Sequence, residues 1–176
     1  MRRALRIVSG ILIAAGVLAG AWAIVVWRWQ DPFTALYTHR EQQKLGHELS
    51  REFADFRPAR PTRGLALAAA HDAVAAEAAR FRRTTHAGEP IGRILIGRIV
   101  LNMVLVDGTD ESDLEKGPGR DLRSYMPGQN RLVYVAGHRT TYLAPFSHID
   151  AIRPGDAIRL EMPYATFVYR MTRHTI

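Results

Sequence analysis

The hydrophobic positions of the chain fall into three stretches with different periods. In the first, no residue from Ile7 to Trp27 is charged. A helix of that length is about 31 Å long, which matches the hydrocarbon core of a bilayer. Arginines precede this stretch and tryptophans gather near its far end, namely Arg2, Arg3, Arg6, Trp22, Trp27 and Trp29. Residues 1–30 are therefore predicted to form a single-pass membrane anchor with a cytoplasmic N-terminus and everything after it outside.

A cleaved signal peptide is the alternative interpretation of this segment. Ala21-Trp22-Ala23 resembles the small-residue pattern of a cleavage site. The apolar stretch continues beyond that point through Ile24 and Val25, which favours an uncleaved anchor.

The second stretch has the helical period. Leu45, Leu49, Phe53 and Phe56 recur at spacings of four and three, as on one face of an amphipathic helix. Prolines 58 and 61 interrupt the pattern, and an alanine-rich helical run follows from Leu65 to about residue 81. Residues 31–87 are predicted to form a helical stalk or linker.

The third stretch, residues 88–176, has the period of β-strands. A β-branched run from Ile91 to Val106 is broken at Gly97, and residues 132–136 are predicted to form a short apolar strand. Residues 158–162 and 167–171 alternate apolar and polar side chains around a turn, which predicts a hairpin with one buried face. The fold class is therefore mostly β, of barrel or sandwich type. A last strand over residues 166–176 would leave a sheet edge unpaired, so we expect the barrel within these residues to be incomplete.

Composition narrows the possible functions. The chain is 47% hydrophobic and 23% charged, with a formal net charge of +7. Its arginines are scattered, whereas nucleic-acid binding needs a clustered basic face, so no nucleic-acid partner is expected. The chain has no cysteine, which excludes disulfides, thiolate metal sites and thiol catalysis within this polypeptide. Neither a phosphate-binding loop nor a dinucleotide fingerprint is present, so no cofactor is expected.

His138 is the candidate catalytic residue. It follows the predicted strand 132–136 and a glycine, at a strand end where a side chain is held rigidly beside loops that admit substrate. Histidine is also the side chain best suited to proton transfer near neutral pH. A structural, hydrogen-bonding histidine is the alternative at this position. His148 is expected to be structural. The remaining histidines considered lack the i, i+4 spacing of a helical zinc site and are expected on solvated helix surface: His39, His47 and His71.

Five acidic residues form a cluster between positions 107 and 115, namely Asp107, Asp110, Glu111, Asp113 and Glu115. Calcium binding is one interpretation, because Ca²⁺ prefers several oxygen ligands. The spacing does not match an EF-hand loop, so a solvated loop with acids at a helix start is the preferred one. No metal is expected.

Ordered blocks across residues 88–176 resemble the sortase family. The blocks are EPIGRI at 89–94, VDGT at 106–109, LEKGPG at 114–119, PGQN at 127–130, AGHRTTY at 136–142 with APF at 144–146, IRPGD at 152–156 and YATFVY at 164–169. Within the family the chain looks most similar to class E sortases. It departs from the pattern at Leu143, where glycine is common, and in residues 120–126.

The resemblance implies an eight-stranded β-barrel on an N-terminal membrane anchor. Sortases cleave a C-terminal sorting signal of the LPxTG or LAxTG type between Thr and Gly. A cysteine thiolate forms a thioester with the Thr carbonyl, and an amine of a cell-wall precursor or a pilin takes the acyl group. His138 corresponds to the family's proton donor and acceptor. The family's cysteine and arginine lie on later strands, and these residues hold no counterpart of either.

We therefore interpret residues 88–176 as a partial sortase domain. The preferred hypothesis is an inactive fragment of a cysteine transpeptidase. The alternative is a non-catalytic, membrane-tethered binding module of the cell envelope.

Overall fold

The computed structural model describes residues 2–29, 32–59 and 66–174. Three helices come first: α1 (Arg2–Trp29), α2 (Pro32–Asp55) and α3 (Leu67–Thr84). The two helices expected between residues 31 and 87 are thus confirmed. Leu65, the expected start of the second helix, and Pro61 lie outside the described residues.

Six strands and three short helices follow in the order β1 (Pro90–Ile96), η1 (Gly97–Ile99), β2 (Leu101–Asp107), α4 (Glu111–Leu114), β3 (Gly119–Arg120), β4 (Val135–Ala136), η2 (Ile149–Ala151), β5 (Ala157–Met162) and β6 (Ala165–Arg170). They form one curled sheet, a half-barrel, with strand order β4-β3-β2-β1-β5-β6. The break at Gly97 and the β5–β6 hairpin are confirmed, with Leu160 opposite Phe167.

Two strands are shorter than predicted. The strand expected at residues 132–136 consists of Val135 and Ala136 alone, and Leu132 is 73% exposed. The run before Val135 is apolar in composition, but Leu132 and Tyr134 are exposed and Val133 is only partly buried, so little burial stabilises it as a strand. The last strand ends at Arg170. Residues 171–174 are not strand, and 175–176 lie outside the described residues.

The helices after the anchor lie against the sheet. Gln42 of α2 forms hydrogen bonds to both backbone groups of Val104, with Val104 N donating to its Oε1 at 2.7 Å and its Nε2 donating to Val104 O at 3.1 Å. Leu45 and Leu49 form a buried cluster with Val104 and Val106. Helix α2 therefore packs against the sheet. The domain boundary at residue 88 stays a prediction.

Tyr164 joins the β5–β6 hairpin to the helices. Its ring contacts Phe56, Phe81 and Phe167 at centroid distances of 6.4, 5.6 and 5.9 Å. Its hydroxyl donates to the carbonyl of Pro127 at 2.8 Å. Burial raises the pKa of Tyr164 far above its usual value, so the hydroxyl remains a donor.

Candidate active site

His138 lies two residues beyond the end of β4. Gly137 precedes it, and a side chain at that position would come within 2.9 Å of the Phe146 ring. The backbone amide of Phe146 donates to the carbonyl of His138 at 3.0 Å. The glycine therefore allows residues 145–146 to approach closely. The hydrogen bond between this segment and the His138 carbonyl holds the histidine backbone in place.

The His138 imidazole combines burial with an unused hydrogen-bonding atom. The residue as a whole is half-buried, yet its Nε2 is shielded from solvent and has no hydrogen-bond partner among the residues that the structure describes. Buried polar side-chain atoms are nearly always paired. A ring nitrogen left free at a strand end is available to give or take a proton.

Tyr142 supports the imidazole from one side. The two rings are 4.8 Å apart at their centroids and inclined by 39°. The Tyr142 hydroxyl donates to Oε1 of Glu115 at 2.7 Å. Helix α2 reinforces this arrangement, because Thr38 donates from its Oγ1 to the Glu115 carbonyl at 2.7 Å. Glu115, expected in a solvated acidic loop, instead belongs to the surroundings of His138.

The segment that carries Tyr142 has an unusual backbone. Tyr142, Leu143 and Ala144 have φ angles of 51°, 60° and 40°, in the left-handed region that L-residues with a side chain rarely adopt. Leu143 is the position where the resembling family commonly has glycine. Consecutive left-handed residues store backbone strain, and such strain clusters at functional sites.

A second polar centre, which the sequence did not predict, lies at the other end of β3. The Arg120 side chain is 1% exposed. Its Nε and Nη2 lie 2.7 and 2.6 Å from Oδ1 of Asp107, and its Nη1 donates to the carbonyl of Ser124 at 2.7 Å. Burial raises the pKa of Asp107, while Arg120 and a hydrogen bond from Thr85 act in the opposite direction.

This pair overturns part of the preferred interpretation of the acidic cluster. Asp107 and Asp113 are buried at 1% and 5% exposure, so neither belongs to a solvated loop. The expected helix start is confirmed, because α4 begins at Glu111. Within the described ranges no group of three or more His, Cys, Asp or Glu side chains is placed to hold a metal ion.

Two other polar residues close to His138 in sequence, Arg139 and His148, have different surroundings. Arg139 is exposed and forms an ion pair with Asp150 at 3.2 Å. His148, which was expected to be structural, is exposed.

An apolar cavity of about 290 Å³ opens between strands β1, β5 and β6 and the segment around Phe146. Its lining includes Ile94, Ile96, Val135, Phe146, Leu160 and Tyr169.

The fold and the site together combine a curled six-stranded sheet with a histidine two residues beyond the short edge strand β4. The sortase domain family matches residues 94–176. Sortase D of Bacillus subtilis (strain 168) is 35% identical over 89 residues, which make up 51% of this chain and 43% of that protein. Residues 94–176 thus match a sortase domain, and the chain spans less than half the length of that curated relative.

One solved structure supports the fold, and a second is similar in sequence. The sortase D5 transpeptidase of Clostridium perfringens has a TM-score of 0.58 at 22% identity, over 76% of this chain and 73% of that one. Sortase E of Streptomyces avermitilis is 32% identical, with a TM-score of 0.43 over 44% of this chain and 53% of that one. That overlap does not distinguish the sortase classes, so membership of class E stays a prediction.

The N-terminal helix also agrees with the sequence prediction. Residues Arg6–Val25 of α1 are long and apolar enough to cross a membrane, and none of them is buried by the rest of the protein.

Proposed function

We propose that this chain provides the anchor, the helical support and the histidine of a membrane-bound, outward-facing sortase. The observation that carries the proposal is the His138 imidazole, whose shielded Nε2 has no partner among the described residues and whose ring is supported by Tyr142. A histidine kept only for structure would be expected to use that nitrogen in a hydrogen bond.

In the proposed reaction His138 moves protons and does not bond to the substrate. A cysteine thiolate attacks the Thr carbonyl carbon of a sorting signal, the C–N bond to Gly breaks, and the His138 imidazolium gives its proton to the departing amine. The neutral imidazole then takes a proton from the incoming amine as that amine displaces the thiolate. The family's arginine would stabilise the oxyanion. The 176 residues contain no cysteine, and Arg139 already pairs with Asp150.

The proposed substrates are C-terminal sorting signals of the LPxTG or LAxTG type, with an amine of the cell-wall precursor or a pilin as acceptor. The apolar cavity suits the aliphatic side chain of such a signal.

We further propose that α1 holds the protein in the cytoplasmic membrane with residues after Trp29 outside. Arg2, Arg3 and Arg6 lie on the N-terminal side of the apolar run, which favours a cytoplasmic N-terminus. Protease added to intact spheroplasts should digest the C-terminal half. Full protection of that half would show the opposite orientation.

Activity assays with a fluorogenic sorting-signal peptide test the role of His138. The 176 residues alone should show no turnover, since loss of the nucleophile costs about 10⁶-fold in a comparable covalent enzyme. The chain extended by sortase strands that carry the family's cysteine and arginine should be active. In that extended chain His138→Ala should lower kcat by about 10²- to 10⁴-fold.

The matched control is His148→Ala in the same extended chain, which removes an exposed histidine ten positions away and should leave turnover unchanged. Full activity of the His138→Ala protein would refute the assignment. Turnover by the 176 residues alone that disappears in His138→Ala would refute the proposed inactivity.

A non-catalytic binding module is the second candidate, and the apolar cavity favours it, because peptide binding needs no thiol. It predicts saturable binding of a labelled sorting-signal peptide by the 176 residues. Tyr169→Asp, which places a charge at the 39% exposed part of the cavity lining, should abolish such binding, whereas Arg159→Asp on an exposed position of β5 should not.

A further inference from the structure

Five exposed apolar side chains surround the point where the sheet meets the start of α2. They are Phe33 (68% exposed), Leu36 (50%), Tyr37 (43%), Val100 (88%) and Leu143 (38%), and we call them the apolar rim. Scattered surface hydrophobics need no explanation. These residues are different, because Phe33 contacts Trp22 near one end of the candidate membrane span, and Leu36 and Tyr37 follow Phe33 on α2. The other two, Val100 and Leu143, line one cavity.

The connection begins at α1. The Trp22 ring, close to the outer end of the span Arg6–Val25, contacts the Phe33 ring at 5.8 Å. The first turn of α2 therefore lies at the level of Trp22, the depth at which indole rings meet lipid head groups. Thr34, the next residue, has its Oγ1 3.4 Å from the backbone amide of Tyr142. Leu143 follows directly, and Leu143 and Val100 line one shallow cavity.

The large apolar residues on the outer face of α2 lie at this end of the helix. Phe33, Leu36 and Tyr37 lie opposite the face that Thr38 and Leu45 bury against the sheet. Further along the outer face the side chains are polar: Arg40, Lys44, His47 and Arg51. An apolar outer face confined to the turn beside a membrane span is typical of a helix that starts in the interfacial layer.

The other two rim residues have unfavourable backbones for their type. Val100 has φ 54° and Leu143 has φ 60°, where glycine or asparagine would be less strained. A β-branched residue that is both left-handed and 88% exposed gains nothing from the fold. Contact with an apolar environment outside the fold would give the Val100 side chain a role.

We propose that the apolar rim rests in the outer leaflet of the membrane that α1 spans, so that the sheet is held with the Val100 end against the lipid. This inference rests on the proposed membrane anchor. It places Tyr142, and with it His138, at the membrane surface rather than at the end of a spacer.

The charges near the rim favour an apolar rather than an electrostatic contact. Arg98 forms an ion pair with Asp156, and Arg139 forms one with Asp150. Paired charges attract anionic lipids weakly, so we expect docking on zwitterionic lipid that persists as salt is raised.

The absence of cysteine from the 176 residues allows single-cysteine fluorescent labelling of the full chain. We would attach an environment-sensitive probe at Val100→Cys or Leu143→Cys and place one chain in each phosphatidylcholine nanodisc with brominated acyl chains. Two reference positions complete the set. Val17→Cys lies within the span, and Leu132→Cys is an equally exposed apolar position, 73%. Strand β3 pairs with the Asp107 end of β2 and leads into residues 121–134. Leu132 therefore lies at the opposite end of β2 from Val100.

We expect bromine to quench the probes at 17, 100 and 143 by about half, since rim residues buried 5–10 Å would reach the brominated region, and to leave the probe at 132 unchanged. Quenching at 17 without quenching at 100 and 143 would overturn the docking and leave the anchor standing. No quenching at 17 would refute both. In discs that hold several chains, the emission of the probe at position 100 could shift to the blue without bromine quenching. That result would assign the rim to a contact with a second copy of the chain and overturn the proposal.

A paired substitution guards against a probe that disturbs the turn. With the probe at Val100→Cys, Leu143→Asp should reduce the quenching at 100, whereas Leu132→Asp should not. Far-UV circular dichroism of each variant should match that of the unsubstituted chain. Equal quenching in the two aspartate variants would show that Leu143 does not contact the lipid.

Discussion

Arg120 belongs to the two-residue ladder in which Gly119 pairs with Ala136 and Arg120 with Val135, and His138 lies two residues beyond Ala136. The guanidinium is fully buried and paired with Asp107 and the carbonyl of Ser124. The imidazole is half-buried, and its shielded Nε2 has no partner in the described part of the chain. The Arg120 guanidinium has its hydrogen bonds made, whereas Nε2 of His138 has none within the described residues. The comparison sets a group that serves stability beside one whose proposed role is proton transfer.

The largest expected effect concerns the stabilising side of this comparison. Asp107→Ala leaves the Arg120 charge buried without its carboxylate, and we expect the free energy of unfolding to fall by about 3–5 kcal/mol. Urea unfolding of the chain in detergent micelles, followed by near-UV circular dichroism of tyrosine, measures it. The control is Asp121→Ala, whose partner Arg123 is 91% exposed, and its loss should be much smaller. Similar losses in both variants would remove the distinction that we draw for Arg120.

Tyr142→Phe tests the support of the imidazole. It removes the 2.7 Å hydrogen bond to Glu115 and keeps the ring, so we expect a loss of about 1 kcal/mol. The nitrogen chemical shifts of the His138 ring should change in the same variant, because its neighbour is no longer fixed. Tyr134→Phe, at a 53% exposed ring, should change neither quantity. Unchanged His138 shifts in Tyr142→Phe would show that Glu115 does not orient the ring.

His138→Phe should barely change stability. Phenylalanine keeps an aromatic contact with Tyr142 and removes a nitrogen that has no partner in the described residues, so we expect a change within about 0.5 kcal/mol. The same urea measurement applies. A loss as large as that of Asp107→Ala would mean that His138, like Arg120, is a structural group.

The smallest effect is confined to acid. Arg98 beside Asp156, and the backbone amide of Arg153, lower the pKa of that carboxyl to about 2. A depressed carboxyl pKa contributes stability above the unfolded value, near 3.9, and loses it as the pH falls towards 2. Asp156→Asn should therefore flatten the decline in melting temperature between about pH 4 and 2. An unchanged acid limb would show that the pair contributes nothing.

The spacing of hydrophobic residues predicted the elements whose pairing partners are near in sequence, and those that are surrounded by one kind of environment along their length. The uncharged run of α1, the break at Gly97 and the β5–β6 hairpin all belong to this group. His138 was predicted to be the catalytic residue because a histidine after a strand and a glycine is an informative local pattern, and that role stays a prediction. The Asp107–Arg120 pair was missed, because two charged residues in turn-rich segments carry no sign that the parallel β2–β3 pairing buries them together.

The same reasoning explains a smaller error. Residues 132–134 are apolar, but composition alone does not say which apolar segments reach the core. The apolar face of α2 predicts a helix without showing what covers that face. Gln42, which pairs with both backbone groups of Val104, is a polar residue that no hydrophobic pattern detects.

Strand β6 has a consequence for how the protein behaves in bulk. It lies at the end of the sheet, and among the described residues only β5 pairs with it, while Val168 and Tyr169 on it are 52% and 39% exposed. An open edge of this kind can accept an extended strand of another chain. Such association is second order in protein, so dilution would preserve a sample better than cooling. For chains confined to a bilayer, the number per unit area takes the place of concentration, and crowding within the membrane plane becomes the variable that decides whether two edges meet.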